Sequence, residues 1–196
     1  MEELRKKFNL NNKKIWIAGE TGMVGKAILK QLKKKKRNNK FLNSKHLDLR
    51  RQVDVEDWMK KNKPNIIFLA AAKVGGILAN NNYPVNFIED NLLISLNVIR
   101  SSYLNKIEKL IYLGSSCIYP KGIETPITED LILSGPLEST NQWYSIAKIS
   151  GMKICQAYRK QHSCDFITLL PSNLYGPGDN FNKKNSHVPA ALIDRF

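Results

Sequence analysis

Short apolar runs alternate with amphipathic stretches along the whole chain. Lys14 to Ala18 (KIWIA), Asn65 to Ala72 (NIIFLAAA), Lys109 to Gly114 (KLIYLG) and Asp165 to Pro171 (DFITLLP) are brief, nearly unbroken apolar segments bounded by turn residues. Runs of that kind read as strands buried on both faces. A shorter one, KFLN, lies at Lys40 to Asn43. Between them, helical patterning predicts helices from Met23 to about Lys36, from Asp54 to Lys61 with Asp54 as N-cap, from Pro84 to Leu104, and from Asn141 to about His162. Strands alternating with helices in this order predict a parallel α/β sheet covered on both faces. The exception is Lys121 to Thr140, whose Pro, Gly and Thr content reads as a long loop, and long loops in compact domains tend to serve function.

Composition narrows the picture. At 196 residues, 42% hydrophobic and 24% charged, the chain suits one well-buried domain or one domain with the start of another. No apolar run approaches the roughly 20 residues of a membrane span, and the N-terminus lacks the apolar core of a signal peptide, so a soluble cytoplasmic protein is expected. Cys117, Cys155 and Cys164 fit no metal or redox spacing, so neither a disulfide nor a metal site is expected. The net charge of +14 would suit a polyanion, yet no aromatic-studded basic strand accompanies it, and nucleic-acid binding is not expected. Part of that charge, Lys30 to Lys40, falls where a helix should end and complements its dipole.

Three groups of residues carry chemistry. Directly after the first strand stands Gly19-Glu-Thr-Gly-Met-Val-Gly25, opening a helix. Glycines here permit a tight turn, close approach of a pyrophosphate and close helix–strand packing, which predicts a Rossmann-type doubly wound dinucleotide-binding domain. About 20 residues on, Asp48 comes later than the acid that usually ends the second strand. It could meet the adenine edge, while Lys40, Lys45, Arg50 and Arg51 could accept a 2′-phosphate. NADPH is therefore expected to bind more tightly than NADH, although Glu20 sets a negative charge against that reading. The second group is Ser115, Ser116 and Cys117 at the C-terminal end of a strand, where open parallel sheets bind ligands; the same stretch also reads as a turn with a buried cysteine. The third is Tyr144 and Lys148, four apart and so on one helix face, where the lysine cation would lower the phenol's pKa and make it a proton carrier.

Together these residues resemble the extended short-chain dehydrogenase/reductase superfamily. More narrowly, Ala70 to Pro84 (AAAKVGGILANNNYP), Leu113 to Gly122, Tyr144 to Gly151, Leu169 to Phe181 and Asn185 to Phe196 are similar to its epimerase/reductases acting on GDP-4-keto-6-deoxy-D-mannose. The resemblance implies NADP(H) as cofactor, that nucleotide sugar as substrate, and a homodimer formed through helices that include Pro84 to Leu104 and Asn141 to His162. It implies catalytic roles for Ser115, Cys117, Tyr144, Lys148 and His187, with Cys117 as epimerisation base and His187 as the opposing acid. Cofactor contacts are implied for Gly19, Thr21, Gly22, Met23, Val24, Gly25, Asp48, Leu49, Ala70, Ala71, Leu113, Gly114, Ser115, Ser116, Tyr144, Lys148, Pro171, Ser172, Asn173, Leu174 and His187. Substrate contacts are implied for Ser115, Cys117, Asn173 and Arg195. His46 and His162 match no motif and read as structural or surface residues. The expected organisation is an N-terminal extension (1–13), an NADP-binding domain (14–176) and the start of a substrate-binding region (177–196), most of the C-terminal substrate domain being absent. A second reading is a dinucleotide-binding but inactive domain that acts through a partner chain.

Overall fold

The computed structural model describes residues 8–35, 37–124, 126–180 and 192. Strands β1 (Lys14–Ala18), β2 (Lys40–Leu42), β3 (Ile66–Leu69), β4 (Lys109–Leu113) and β5 (Phe166–Leu169) form one sheet in the order β2-β1-β3-β4-β5. All four pairings are parallel, with Trp16 opposite Leu42 and Ile67 in adjacent ladders. Helices α1 (Met23–Lys34), α2 (Gln52–Asn62), α3 (Ile77–Asn82), α4 (Pro84–Leu104) and α5 (Gln142–His162) occupy the connections. Since β2 lies on one side of β1 and β3 on the other, the chain reverses its direction of winding there. In open α/β sheets that point, outside the C-terminal strand ends, is where ligands bind.

Side chains alternate across the strands, and each face finds a different cover. Trp16, Ala18, Ile67, Leu69, Leu110, Tyr112 and Phe166 pack with Val55 and Met59 of α2, Val98 and Ile99 of α4, and Ile149 and Met152 of α5. Ile15, Ile17, Ile66 and Ile111 face the other way, against Ile28, Leu29 and Leu32 of α1, with Phe8 and Leu10 joining them. The expected two-faced α/β architecture is therefore observed. Burial also explains why α2 is helical at all. Its sequence, QVDVEDWMKKN, is poor in strong helix formers, but Val55 and Met59 lie one turn apart, both fully buried. Burying side chains of that size contributes about 1.5–3 kcal/mol each, more than the propensity deficit of a few tenths per residue.

Two local expectations differ from the structure. Helix α2 begins at Gln52 with Arg51 as its N-cap, and Asp54 lies inside the first turn, 3.0 Å from Arg51 Nε. There the carboxylate complements the helix dipole instead of capping. The apolar run at Asn65 pairs only through Leu69. Beyond it the chain leaves the sheet, and Asn91 of α4 holds it: Oδ1 accepts the Lys73 N–H at 2.9 Å, and Nδ2 donates to the Lys73 carbonyl at 3.0 Å and the Phe87 carbonyl at 2.7 Å. Helix α3, absent from the sequence expectation, follows at once, with Asn80 Nδ2 donating to the carbonyls of Gly75 and Gly76.

Candidate active site

The glycine turn is built by packing. Gly19 has φ +95°, and a Cβ there would stand 2.7 Å from the Ala71 amide nitrogen; one on Gly25 would stand 2.0 Å from the Gly19 carbonyl oxygen. Both positions thus exclude any side chain. Gly22 differs, because a Cβ on it would meet only the Gly19 oxygen, at 3.5 Å. It is exposed and serves as N-cap of α1 with no side-chain cap and no acid in the first turn. The first N–H groups of α1 are left to an anion, as a bound pyrophosphate requires. This cradle fits a dinucleotide. Thr21 is exposed beside it, Met23 and Val24 are half-buried, and Ala70 donates its N–H to the Ala18 carbonyl at 2.9 Å, which sets Ala70 and Ala71 against the turn.

At the end of β4 the chain bends through Ser115, whose extended backbone (φ −160°, ψ 150°) leads into a 3-10 turn at Ser116–Ile118. Ser115 Oγ accepts the Cys117 N–H at 3.2 Å and lies close enough to the Tyr144 phenol to lower its pKa. Ser145, fully buried, donates from Oγ to the Cys117 carbonyl at 2.8 Å and so fixes this turn to α5. Gly114 donates to the Leu169 carbonyl at 2.8 Å and Ser116 to the Pro171 carbonyl at 3.2 Å, bringing the strand ends of β4 and β5 together. Ser172, Asn173 and Leu174 continue from there with exposed side chains. Cys117 is half-buried, whereas Cys155 is the buried apolar cysteine, its thiol pushed up to about 12 by desolvation. The reading of Cys117 as a buried core residue does not hold.

Tyr144 and Lys148 share a face of α5 as expected, but the expected electrostatics are not found. Lys148 is buried, and its Nζ donates to the Leu113 carbonyl at 2.8 Å, lying 5.6 Å from the Tyr144 ring centre. A buried ammonium turns to the nearest carbonyl because the alternative is an unpaired charge. Desolvation brings its pKa down to about 8. The Tyr144 phenol is pushed up to about 12 by burial, with Cys117 adding to the rise and Ser115 opposing it. Its lowering by Lys148 is therefore corrected: Tyr144 holds its proton, which suits a proton donor.

Asp48 and Leu49 lie in the loop after β2. The Asp48 carboxylate pairs with Arg50 through Nε (2.9 Å) and Nη2 (2.8 Å), and Asn97 of α4 donates to the Leu49 carbonyl at 3.0 Å. His187 and Arg195 fall outside the described residues. Among the described residues no His, Cys, Asp and Glu cluster could hold a metal ion, and no helix is long and apolar enough to cross a membrane. His162, expected as a structural or surface residue, is exposed, and its ring stacks on Tyr103 with centroids 4.4 Å apart.

Residues 15–196, which hold the glycine cradle at the switch point and the Ser115, Tyr144 and Lys148 cluster at the neighbouring strand end, match the NAD dependent epimerase/dehydratase family. The chain belongs to that family. It is 52% identical over 186 residues to GDP-L-fucose synthase of Sinorhizobium fredii, covering 95% of this chain and 59% of that relative. To GDP-L-fucose synthase 1 of Arabidopsis thaliana it is 54% identical over 184 residues, covering 93% and 57%. The crystal structure of a GDP-L-fucose synthetase from Naegleria fowleri bound to NADP superposes with a TM-score of 0.86 at 33% identity, over 95% of this chain and 62% of that one. GDP-mannoheptose C4 reductase from Campylobacter jejuni, with NADP bound, gives 0.86 at 37% identity, over 95% and 55%. The chain thus spans somewhat under three fifths of the length of the curated relatives.

Sequence reasoning missed the residues that hold the site without touching its chemistry. Ser145, Asn91, Asn97 and Asn80 are polar positions on helices, each nearly fully buried. Asn and Ser are weak helix formers that usually face water or cap an end. Their repetition in the middle of α4, at Asn91, Ser95 and Asn97, was the available signal.

Proposed function

We propose that the protein is a 3,5-epimerase/4-reductase that converts GDP-4-keto-6-deoxy-D-mannose to GDP-L-fucose with a reduced nicotinamide dinucleotide, the phosphorylated form being the one named with solved relatives. The observation that carries this reading is the convergence of Ser115, Cys117 and Tyr144 at the end of β4, with Lys148 anchoring α5 to the same strand end. Residues 14–176 are the dinucleotide-binding unit, and 177–196 begin the substrate-binding region.

In this reading Cys117 removes the protons next to the C4 ketone. Ser115 and Tyr144 donate hydrogen bonds to the C4 oxygen as negative charge gathers there, which is where preorganised donors lower a barrier most. His187 returns a proton to the opposite face. The dinucleotide, when bound, would supply the hydride that reduces C4. Tyr144, whose phenol holds its proton firmly, then delivers it to the C4 oxygen. The backbone from Pro171 to Leu174 would hold the nicotinamide amide, and Arg195 would pair with the sugar's diphosphate. The protein works in the cytoplasm as a homodimer. Exposed Leu96 of α4 with Trp143 and Ile146 of α5 are the apolar groups such an interface would bury.

The test follows the keto sugar in deuterated water by NMR while NADPH oxidation is read from absorbance. Deuterium should enter at C3 and C5 without cofactor, and absorbance should fall when NADPH is added. Tight dinucleotide binding with neither signal would favour the inactive, partner-dependent domain.

A further inference from the structure

Among the described residues Lys148 is the one charged side chain that is buried, 4% exposed, and no carboxylate pairs with it. An ammonium carries three N–H donors and no acceptor. The Leu113 carbonyl takes one of those donors, at 2.8 Å. A charge so placed needs further compensation, since a buried ion without a partner gives up its charge. What faces it is aromatic. Its Nζ stands over the Tyr112 ring, 5.0 Å from the centroid, and 5.6 Å from the centroid of Tyr144. Both lie within the roughly 6 Å at which the negative face of a ring attracts a cation.

The two rings differ in what else they do. Tyr144 is the proton donor of the proposed reaction, whereas Tyr112 lies in β4, 1% exposed, and is fixed from two sides. Ser95 of α4 donates to its hydroxyl at 3.2 Å. Gly151, three residues beyond Lys148 on α5, leaves room for its ring edge, because a Cβ there would stand 2.5 Å from Cζ. Burial pushes the Tyr112 phenol well above its ordinary range, so the residue offers Lys148 a neutral ring and no phenolate. Around the pair, Tyr144 and Cys155 of α5 both hold their protons to about 12, and Cys117 of the turn after β4 acts on Tyr144. From α4 it is the uncharged Ser95 that meets Tyr112.

We infer that Tyr112 is a positioning residue: its ring face, with the Leu113 carbonyl, holds the Lys148 ammonium at the end of β4. Without the ring face the charge is left with one hydrogen bond in an apolar setting, and Lys148 releases its proton at lower pH. The consequence for reduction rests on the function proposed above; the consequence for titration rests on the packing of β4 and α5 alone.

Protein carrying isotope-labelled lysine is titrated by carbon NMR, the Lys148 Cε signal being the one lost in Lys148→Met. In the wild type its midpoint should lie at about 8. Tyr112→Leu should lower that midpoint by about one pH unit, the size of a desolvated cation–π contact, and Tyr112→Phe, which keeps the ring, should leave it in place. Fluorinated phenylalanines at position 112 keep the shape of the ring and weaken its negative face, so the midpoint should fall with each added fluorine even where leucine does not support folding. With sugar and NADPH present, the alkaline limb of the reduction should move by the same interval. A midpoint that stays put in Tyr112→Leu or across the fluorinated series, or that moves as far in Tyr112→Phe as in Tyr112→Leu, would overturn the inference. Shifted midpoints in a protein that reduces no sugar would support the inference and overturn the proposed reaction.

Discussion

Burial, more than the neighbouring cation, governs the titrating side chains of the site. Tyr144 keeps its proton to about 12, so Tyr144→Phe removes a donor that general acid catalysis values at about 10²–10⁴-fold in the reduction step. Deuterium exchange at C3 and C5 should survive in that variant. Cys117→Ser should show the reverse, with exchange slowed and reduction of an already epimerised ketone retained; NMR and absorbance on the two variants separate the roles. Lys148 makes a pH prediction of its own. Its pKa falls from the ordinary 10.5 to about 8 in the folded chain through desolvation. Below pH 8 both folded and unfolded states are charged, and the folded state bears the full cost. Between about 8 and 10.5 the unfolded state binds the extra proton, so stability rises with pH across that window. Urea unfolding at pH 7 and pH 10 should show this rise in the wild type and its loss in Lys148→Met; parallel behaviour of the two would refute it.

Helix α5 carries Tyr144 and Lys148 to the proposed site only because it can lie close against β4. At Gly151 a Cβ would stand 2.5 Å from both Cζ and the hydroxyl oxygen of Tyr112, a side chain buried in the sheet and hydrogen-bonded to Ser95 at 3.2 Å. Gly151→Ala gains helix propensity worth up to about 1 kcal/mol, but it forces either α5 or the Tyr112 ring to shift. Overpacking of this kind costs about 1–3 kcal/mol, so the clash wins. A lower urea midpoint with an unchanged slope is the expected measurement. Because Tyr144 and Lys148 ride on the same helix, the variant's catalytic rate should fall as well.

Across the whole molecule, the loop after β2 is joined to α4 by charge. Arg50 holds the Asp48 carboxyl at about 2, the hydrogen bonds from Arg50 being the leading cause, and reaches Asp90 as well. The folded value lies below the ordinary 3.8, so this tie is fully present above pH 4 and is lost as pH falls from about 4 toward 2. Asp48→Asn should lose less stability than the wild type across that interval, read from thermal melts at stepped pH. Identical acid profiles would show that the pair contributes nothing, as many exposed ion pairs do.

The alternation of strands and helices, the glycine turn and the Ser-Ser-Cys and Tyr-Lys groups were legible in the linear chain, because each depends on local periodicity or on residues a few positions apart. That is why β1, β3, β4 and β5 and helices α1, α4 and α5 stand close to their expected places. Tertiary structure decided what depends on contacts between distant segments. Helix α3 exists where Asn80 and Asn91 give partners to backbone that has left the sheet. Lys148 turns to Leu113 instead of Tyr144 because its ammonium is buried at a strand end that no spacing rule reveals. Glu20 stands at the end of β2, 24 residues from its partner Ser44, since parallel pairing of β1 with β2 lays the glycine turn beside that loop. Hydrophobic period records which face a residue shows, but it carries no record of which distant polar group will meet it there.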